Sequence, residues 1–228
     1  MSEIKLGDKT IGKEHPPYFI ADIAANHDGD LSRAKDLIWH AKEAGADCAK
    51  FQHFLADKIV NDVEFRKLES LQTHQSTWKK SVSEIYDQYH FKREWTEEIF
   101  KECKKADIEF STSPYDIQAI KDVDQFVNFY KIGSGDITWL NLIEYMISKK
   151  KPLILATGAA EMEDVKRAVD IIPNENLVLL QCNTNYTLEK DKHKYVNINV
   201  LKQYNDNFKG GSLNNINFDL NFSFFKKI

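Results

Sequence analysis

The sequence has no long hydrophobic run, no surplus of positive charge and few cysteines, and each absence excludes a class of protein. No stretch approaches the roughly 18 uninterrupted apolar residues of a membrane-spanning helix, and the N-terminus lacks a basic segment followed by an apolar run. The 31 basic and 35 acidic residues give a net charge of -4, without a basic stripe that carries interleaved aromatics. These absences predict a soluble, cytoplasmic protein that contacts neither a membrane nor nucleic acid.

The three cysteines, Cys48, Cys103 and Cys182, are odd in number and widely separated, and they lie in apolar or helical stretches. That pattern is typical of reduced thiols in a cytoplasmic protein and not of a disulfide framework. We therefore expect all three side chains to pack in the core.

Short apolar runs alternate with amphipathic segments along most of the chain. The runs lie at 18–25, 48–54, 108–113, 128–134, 152–158 and 177–183. The segments between them predict helices at 31–44, 94–106, 116–122, 139–149 and 161–172. Asp30 is a suitable N-cap for the first helix, and Gly45 ends it. This alternation predicts an α/β fold in which βα units surround a parallel sheet.

Six βα units are recognisable in the 228 residues. A complete TIM barrel takes about 250 residues, so we expect a TIM (β/α)8-type barrel that is incomplete after its sixth unit, with an open sheet as the alternative. This domain would cover residues 1–206, and an atypical tail would follow at 207–228. Within the tail, apolar residues alternate strictly with polar ones from Ile216 to Phe224, a pattern typical of a strand.

Residues 55–93 form a long polar excursion after the second apolar run. Insertions at such places often become active-site loops. We expect Trp78 and Tyr86 to pack this excursion against the barrel rather than to contact a ligand.

Lys50 in CAKFQHF and Lys131 in FYKIGSGD each stand at the end of an apolar, strand-like run. A buried ammonium loses its water at a high cost in free energy unless an anion pairs with it. The ends of parallel strands are also where substrates usually bind. Two such lysines predict an anionic substrate. The structural alternative is a buried network in which these lysines, Asp22 and Asp136 neutralise one another without a ligand.

Other polar residues are spaced so that they can converge, because neighbours two apart on a strand share a face. The pairs of equal parity are Lys50 and Gln52, Thr184 and Tyr186, each two apart, and Asp22 and Asn26, which are four apart. In KIGSGD, the glycines allow a tight turn whose amides and Ser134 hydroxyl could hold a phosphate. We treat these residues as candidates for one site.

Five motifs together resemble the sialic acid synthase family in order and spacing, over about residues 18–206. They are ADIAANHDGD (21–30), AGADCAKFQHF (44–54), YKIGSGDITWL (130–140), LATGAAEMEDV (155–165) and LLQCNTNY (179–186). The resemblance implies a TIM barrel that condenses phosphoenolpyruvate with an N-acetylated hexosamine such as N-acetylmannosamine. Phosphate is released, and a nine-carbon 2-keto sugar acid forms in carbohydrate biosynthesis.

By that resemblance, the residues that hold phosphoenolpyruvate would be Lys50, Thr112, Lys131, Ser134, Thr184 and Tyr186. Those facing the sugar would be Gln52, Asp136 and Tyr186, and the catalytic residues would be Asp22, Asp136 and Tyr186. Asp22 and Asp136 stand where the family usually has glutamate, and Thr187 replaces the proline that commonly follows the tyrosine. These departures indicate a subfamily with a different sugar.

The resemblance also implies a divalent metal, Mn²⁺ or Mg²⁺, that polarises the sugar aldehyde. The SDHT and EKH strings that supply the family's metal histidines do not occur in this sequence. His27 in NHDG has no partner at a recognised ligand spacing, and we expect it to make structural hydrogen bonds.

The resemblance fades at about Asn207, and this suggests a truncated or frame-shifted product. Such a product would lack the family's C-terminal antifreeze-like domain, which reaches the partner's active site in a homodimer. The predicted function is a phosphoenolpyruvate-dependent sugar-acid synthase. The alternative, favoured by the missing histidines, is a catalytically inactive fragment that binds phosphoenolpyruvate or a full-length homologue. A third candidate, another phosphoenolpyruvate aldol-type barrel, is disfavoured by NHDGD and QCNTNY.

Overall fold

The computed structural model describes residues 3–12, 14–67, 78–184, 192–208 and 216–219. In chain order, the strands are β1 (Ile4–Leu6), β2 (Lys9–Ile11), β3 (Ile20–Ala24), β4 (Cys48–His53), β5 (Glu109–Pro114), β6 (Tyr130–Ile132), β7 (Leu153–Ala156), β8 (Leu177–Cys182) and β9 (Ile216–Asp219). The helices are α1 (Leu31–Glu43), α2 (Ala56–Ile59), α3 (Asp62–Lys67), α4 (Val82–Tyr89), α5 (Thr96–Lys105), α6 (Ile117–Val123), α7 (Leu140–Ile147), α8 (Met162–Ile171) and α9 (Val200–Asn207). The order of elements and their parallel strands confirm the predicted α/β fold.

The described chain divides into two units, each named here after its buried lysine. The Lys50 unit is Phe19–Tyr130 with a short later segment. The Lys131 unit consists of the described parts of Met1–Tyr18, Lys131–Thr184 and Tyr195–Ile228.

Three parallel strands form the sheet of the Lys50 unit, in the order β3-β4-β5. The central strand β4 is almost entirely buried, as expected for a parallel strand that is covered on both faces. The register sets Lys50 beside Asp22 of β3 and beside Ser111 of β5. The sheet therefore carries one polar row across its three strands.

The helix α1 begins and ends where the sequence predicts. The Asp30 side chain accepts hydrogen bonds from the backbone amides of Ser32 and Arg33, at 2.7 and 3.1 Å. These bonds satisfy two of the amides that the start of a helix leaves unpaired. Gly45 follows the C-terminal end with a φ of +84°, a conformation that favours glycine. The helices α5, α6, α7 and α8 also lie close to their predicted bounds.

Aromatic rings pack on the other face of this sheet. Phe51 is fully buried, and its ring centroid lies 5.3 Å from that of Phe91 and 6.0 Å from that of Phe110. Phe100 of α5 packs edge-on against Phe110 at 6.3 Å. Burying a phenylalanine side chain stabilises a fold by roughly 1.5–3 kcal/mol, so these rings are a main part of the core.

All three cysteines are buried and none forms a disulfide, which confirms the predicted core packing. Burial raises the pKa of the Cys48 and Cys103 thiols. Neither thiol is therefore disposed to act as a thiolate nucleophile.

The polar excursion after β4 is largely helical where the structure describes it, since it contains α2, α3 and α4; residues 68–77 lie outside the described residues. Ser81 and Glu84 form a capping box at the start of α4. Tyr86 packs against Phe54 at the end of the second apolar run, with 5.6 Å between centroids, and Trp78 lies 6.3 Å from Tyr86. The contact with Phe54 confirms the predicted packing of Tyr86, whereas the Trp78 contact lies within the excursion itself.

The sheet of the Lys131 unit has the order β6-β7-β8-β9, and β9 pairs with β8 in parallel. Strand β9 continues the parallel arrangement beyond the sixth apolar run, where we expected the barrel to stop. It contains the first part of the alternating tail, and the rest of that tail lies outside the described residues. The incomplete barrel itself stays a prediction.

The sequence analysis missed the antiparallel hairpin of β1 and β2 in the Lys131 unit, where Ile4, Leu6 and Ile11 are buried.

Within the described ranges, no helix has both the length and the apolar character needed to cross a membrane.

Candidate functional site

The Lys50 ammonium is the centre of the polar row in the Lys50 unit. Its Nζ donates a hydrogen bond to Oδ1 of Asp22 at 2.7 Å, and the two side chains are 5% and 31% exposed. An ammonium buried so deeply needs a charged partner, and the Asp22 carboxylate supplies one. Because Asp22 is the more open of the two, the pair is accessible from the carboxylate side.

Lys50 shares one face of the sheet with the side chains of Gln52 and Ser113, and we call this surface the Lys50 face. Gln52 has the same parity as Lys50 in β4, and the register pairs Gln52 with Ser113 of β5. The neighbouring Ser111 hydroxyl donates to the Phe129 carbonyl at 3.3 Å. Ser113 is therefore the hydroxyl on this face that is better placed to bind a ligand.

The structure does not bring Thr112 to the Lys50 face. Its Oγ1 lies 2.8 Å from Nδ1 of His53, and Nε2 of the same ring lies 2.9 Å from Oγ1 of Thr96. The Thr96 hydroxyl donates to the Arg93 carbonyl, so it must accept from Nε2 of His53. Nδ1 then accepts the hydrogen of the Thr112 hydroxyl. The structure thus places Thr112 away from the Lys50 face, and its role in binding phosphoenolpyruvate stays a prediction.

One sequence signal indicates these faces. Thr112 has the parity of Phe110, and His53 has the parity of Phe51, so all four side chains lie on the apolar side of the sheet. Ser113 has the opposite parity. The sequence analysis did not use this signal and missed both Ser113 and His53.

His53 is part of a closed structural network. Burial, with a smaller contribution from the nearby Arg93 guanidinium, lowers the pKa of His53 to about 3. The ring is therefore neutral, and because Nε2 carries the hydrogen, Nδ1 accepts from the Thr112 hydroxyl. Arg93 pairs with Asp116, which is also the N-cap of α6, and lies 3.6 Å from Asp122. These contacts stabilise the back of the sheet and do not form a ligand site.

His27 is fully buried. Its Nδ1 accepts a hydrogen bond from the Gly29 amide at 3.1 Å, and the rings of Phe91 and Trp95 pack edge-on against it at 5.9 and 5.7 Å. Burial lowers the pKa of His27 to about 4. Nδ1 thus makes one of the structural hydrogen bonds expected for His27, whereas its buried Nε2 has no partner among the described residues. Throughout the described part of the chain, no three His, Cys, Asp or Glu side chains are grouped so that they could hold a metal ion.

The Lys131 unit carries a second group of candidates at the ends of its strands. Lys131 in β6 is 8% exposed, and a short 3₁₀ turn, Ser134–Asp136, follows the strand. The Ser134 hydroxyl accepts a hydrogen bond from the Gly158 amide at 3.0 Å and so keeps its own hydrogen for a ligand. Burial raises the pKa of Asp136, while the Lys131 ammonium opposes that shift. A carboxyl group in this environment is suited to proton transfer.

Gly158 allows the ends of β7 and β8 to approach closely. A Cβ atom at this position would lie 2.3 Å from Cγ2 of Thr184 and 3.0 Å from the carbonyl oxygen of Cys182. The adjacent Thr157 accepts a hydrogen bond from the Tyr204 hydroxyl of α9 at 2.8 Å. Thr184 is thus held in a well-packed corner of the Lys131 unit.

The structure therefore places the predicted residues in two groups, one in each unit. Asp22, Lys50 and Gln52 lie in the Lys50 unit, whereas Lys131, Ser134, Asp136 and Thr184 lie in the Lys131 unit. Asn26 lies in a turn after β3, so strand parity does not apply to it, and Tyr186 falls outside the described residues.

The sequence analysis also missed a buried polar side chain in β8, that of Gln181. Gln181 of β8 is 6% exposed, and its Oε1 has no hydrogen-bond partner among the residues that the structure describes.

Comparisons with known proteins agree with this architecture. Residues 37–212 match the NeuB family. The chain is 32% identical over 201 residues to N-acetylneuraminate-9-phosphate synthase of Homo sapiens, which covers 85% of this chain and 53% of the relative. It is 31% identical over 215 residues to N,N'-diacetyllegionaminic acid synthase of Legionella pneumophila, covering 89% of this chain and 58% of the relative.

The fold also matches the crystal structure of N-acetylneuraminic acid (sialic acid) synthetase from Leptospira borgpetersenii. The TM-score is 0.76 at 23% identity, over 96% of this chain and 78% of that one. The chain spans about half the length of the curated relatives it matches. From the family match over most of its length and the agreement in fold, we conclude that this chain belongs to the NeuB family, a family of sugar-acid synthases.

Proposed function

We propose that the chain binds phosphoenolpyruvate and condenses it with an N-acetylated hexosamine, releasing phosphate and forming a nonulosonic acid. The observation that carries this proposal is the burial of two lysines, Lys50 and Lys131, which as whole residues are 4% and 8% exposed. A buried ammonium favours an anionic ligand, and phosphoenolpyruvate offers a phosphate and a carboxylate. Membership of the NeuB family supports the same assignment.

In this proposal, hydroxyl groups next to the lysines complete the binding of phosphoenolpyruvate. Each unit offers one such hydroxyl: Ser113 on the Lys50 face and Ser134 after β6 can each donate a hydrogen bond to an anionic oxygen. Thr184 and Tyr186 keep the binding role that the sequence resemblance implies, and Ser113 replaces Thr112. Gln52 shares the Lys50 face and contacts the sugar through its amide.

The proposed chemistry joins C3 of phosphoenolpyruvate to the aldehyde carbon of the open-chain sugar. The aldehyde oxygen takes up a proton as the new carbon–carbon bond forms, and water adds to C2 before phosphate leaves. Asp136 is the proposed proton donor, because burial raises the pKa of its carboxyl and moves it towards the range that general acid catalysis needs. A divalent metal is expected from the resemblance, but no step is assigned to it, since the described residues do not group into a metal site.

The test is to measure release of inorganic phosphate from phosphoenolpyruvate with Mn²⁺ present and a panel of N-acetyl-hexosamines. We expect sugar-dependent release by the wild-type chain and a loss of about 100-fold or more in Asp136→Asn, since general acid catalysis contributes about 10²–10⁴-fold. Lys131→Ala should abolish release. Asp107→Asn, which removes the carboxylate of an exposed ion pair with Lys42, should keep the full rate.

Phosphate release that does not depend on any sugar would contradict the proposed reaction. Binding of phosphoenolpyruvate without release would instead support the inactive binding fragment.

A further inference from the structure

The ion pair between Lys50 and Asp22 has two unequal partners. The lysine side chain is 5% exposed, whereas the aspartate side chain is 31% exposed, and 2.7 Å separates Nζ from Oδ1. The ammonium therefore depends on the carboxylate for its counter-charge. The carboxylate, by contrast, is open enough to be solvated without the ammonium.

An anionic ligand and Asp22 would need the same ammonium. Lys50 has three N–H donors, so a ligand oxygen and the carboxylate could both approach it. Two negative groups at one ammonium repel each other, however, and burial of the lysine strengthens that repulsion because solvent screens it poorly. The charge of Asp22 must then reduce the affinity of the Lys50 face for an anion.

We propose that Asp22 is the resting counter-ion of Lys50, and that an anionic group of the substrate displaces it on binding. Asp22 then stabilises the ligand-free protein and weakens the hold on phosphate, which favours release of that product. In this role it acts through Lys50 as a positioning residue, in place of the catalytic role that the resemblance implies. The inference rests on the proposed function only for the identity of the anion.

Asp22→Asn tests the proposal because the amide has the shape of the carboxylate without its charge. Thermal unfolding in phosphate-free buffer should show a Tm lower by about 5 °C or more, since the ammonium stays buried without a counter-charge. Titration calorimetry with inorganic phosphate and with phosphoenolpyruvate should show roughly tenfold tighter binding than in the wild type. Phosphate should also raise the Tm of the variant more than that of the wild type.

Two controls separate this effect from a general loss of charge. Asp107→Asn removes the carboxylate from another Lys–Asp pair of the same unit, with Asp107 98% exposed, and should change neither the Tm nor phosphate binding. Asp22→Asn combined with Lys50→Met should bind neither anion. Phosphate binding by Asp22→Asn that equals or falls below that of the wild type would overturn the proposal, as would failure of this variant to fold even with phosphate present.

The outcomes also separate this inference from the proposed function. Tighter phosphate binding by Asp22→Asn, without sugar-dependent phosphate release by the wild type, supports the counter-ion and contradicts the synthase. Release by the wild type, with no gain in affinity in the variant, supports the synthase and overturns the counter-ion.

Discussion

At the scale of single residues, the face of the sheet on which a hydroxyl lies decides whether that side chain can bind the ligand. Ser113 and Thr112 are adjacent in β5, yet they lie on opposite faces of the sheet. The Thr112 hydroxyl is fixed by His53 at 2.8 Å, and Ser113 shares the surface of Lys50. The two residues should therefore respond to substitution in opposite ways.

We predict that Ser113→Ala weakens binding of phosphoenolpyruvate by about tenfold or more and leaves the free energy of unfolding nearly unchanged. A hydrogen bond to a charged group is worth about 1.5–3 kcal/mol, which is the basis of this estimate. Thr112→Val should instead lower the free energy of unfolding by about 1–3 kcal/mol, because Nδ1 of His53 loses its donor. Calorimetric titration and urea unfolding of both variants measure the two effects. The reverse pattern would show that Thr112 is the residue that binds.

At the scale of elements, the sequence predicted helices and buried strands well. Asp30 and Gly45 fix the ends of α1 through a side-chain cap and a positive φ, and both depend on residues within the helix region itself. The short hairpin of β1 and β2 was missed, because two three-residue strands are too short to show a reliable period.

The face of each polar side chain was harder to predict than the strands themselves. Ser111, Thr112 and Ser113 are all small and polar, so their residue types do not indicate which of them lies beside Lys50. Strand parity with Phe110 separates Thr112 from the two serines, but only once the apolar face is known, and contacts with Phe100 and Thr96, distant in the sequence, fix that face. The burial of Lys50 and Lys131 was predictable because both stand in apolar, strand-like runs of the sequence.

The junction of β7 and β8 gives a prediction at the element scale. Gly158→Ala should lower the free energy of unfolding by about 1–3 kcal/mol, because its Cβ would lie 2.3 Å from Cγ2 of Thr184 and must push this corner apart. Gly135→Ala is the matched control, since a Cβ there meets nothing within 4 Å. Urea unfolding of both variants checks the expectation. An equal loss of stability in the two would mean that close packing at Gly158 is not the cause.

At the scale of the whole molecule, two fully buried histidines link stability to pH. The pKa of His27 falls from 6.5 to about 4, and that of His53 from 6.5 to about 3, both chiefly through burial. Both rings are neutral when folded and take up a proton more readily when unfolded. Their contribution is therefore complete above pH 6.5 and is lost as the pH falls towards 4 for His27 and towards 3 for His53.

We predict that each histidine reduces the free energy of unfolding by about 2 kcal/mol between pH 8 and pH 5. Urea unfolding at the two pH values measures the change. In His53→Gln, the free energy of unfolding should fall by about 2 kcal/mol less between the two pH values than in the wild type. His40→Gln is the control: the His40 side chain is 73% exposed, and its replacement should leave the pH dependence unchanged. An identical pH dependence in His53→Gln and the wild type would contradict the assignment of a neutral, buried ring.

The net charge of the whole chain is -4, so attraction of an anion must come from local groups and not from the overall field. The central claim is that the buried lysines are these groups. Titration calorimetry of phosphoenolpyruvate into the wild-type chain, Lys131→Met and Lys50→Met tests this claim most directly. We predict measurable binding by the wild type and a loss of about 100-fold or more in each variant, with the fold retained. Unchanged affinity in both variants would contradict the account.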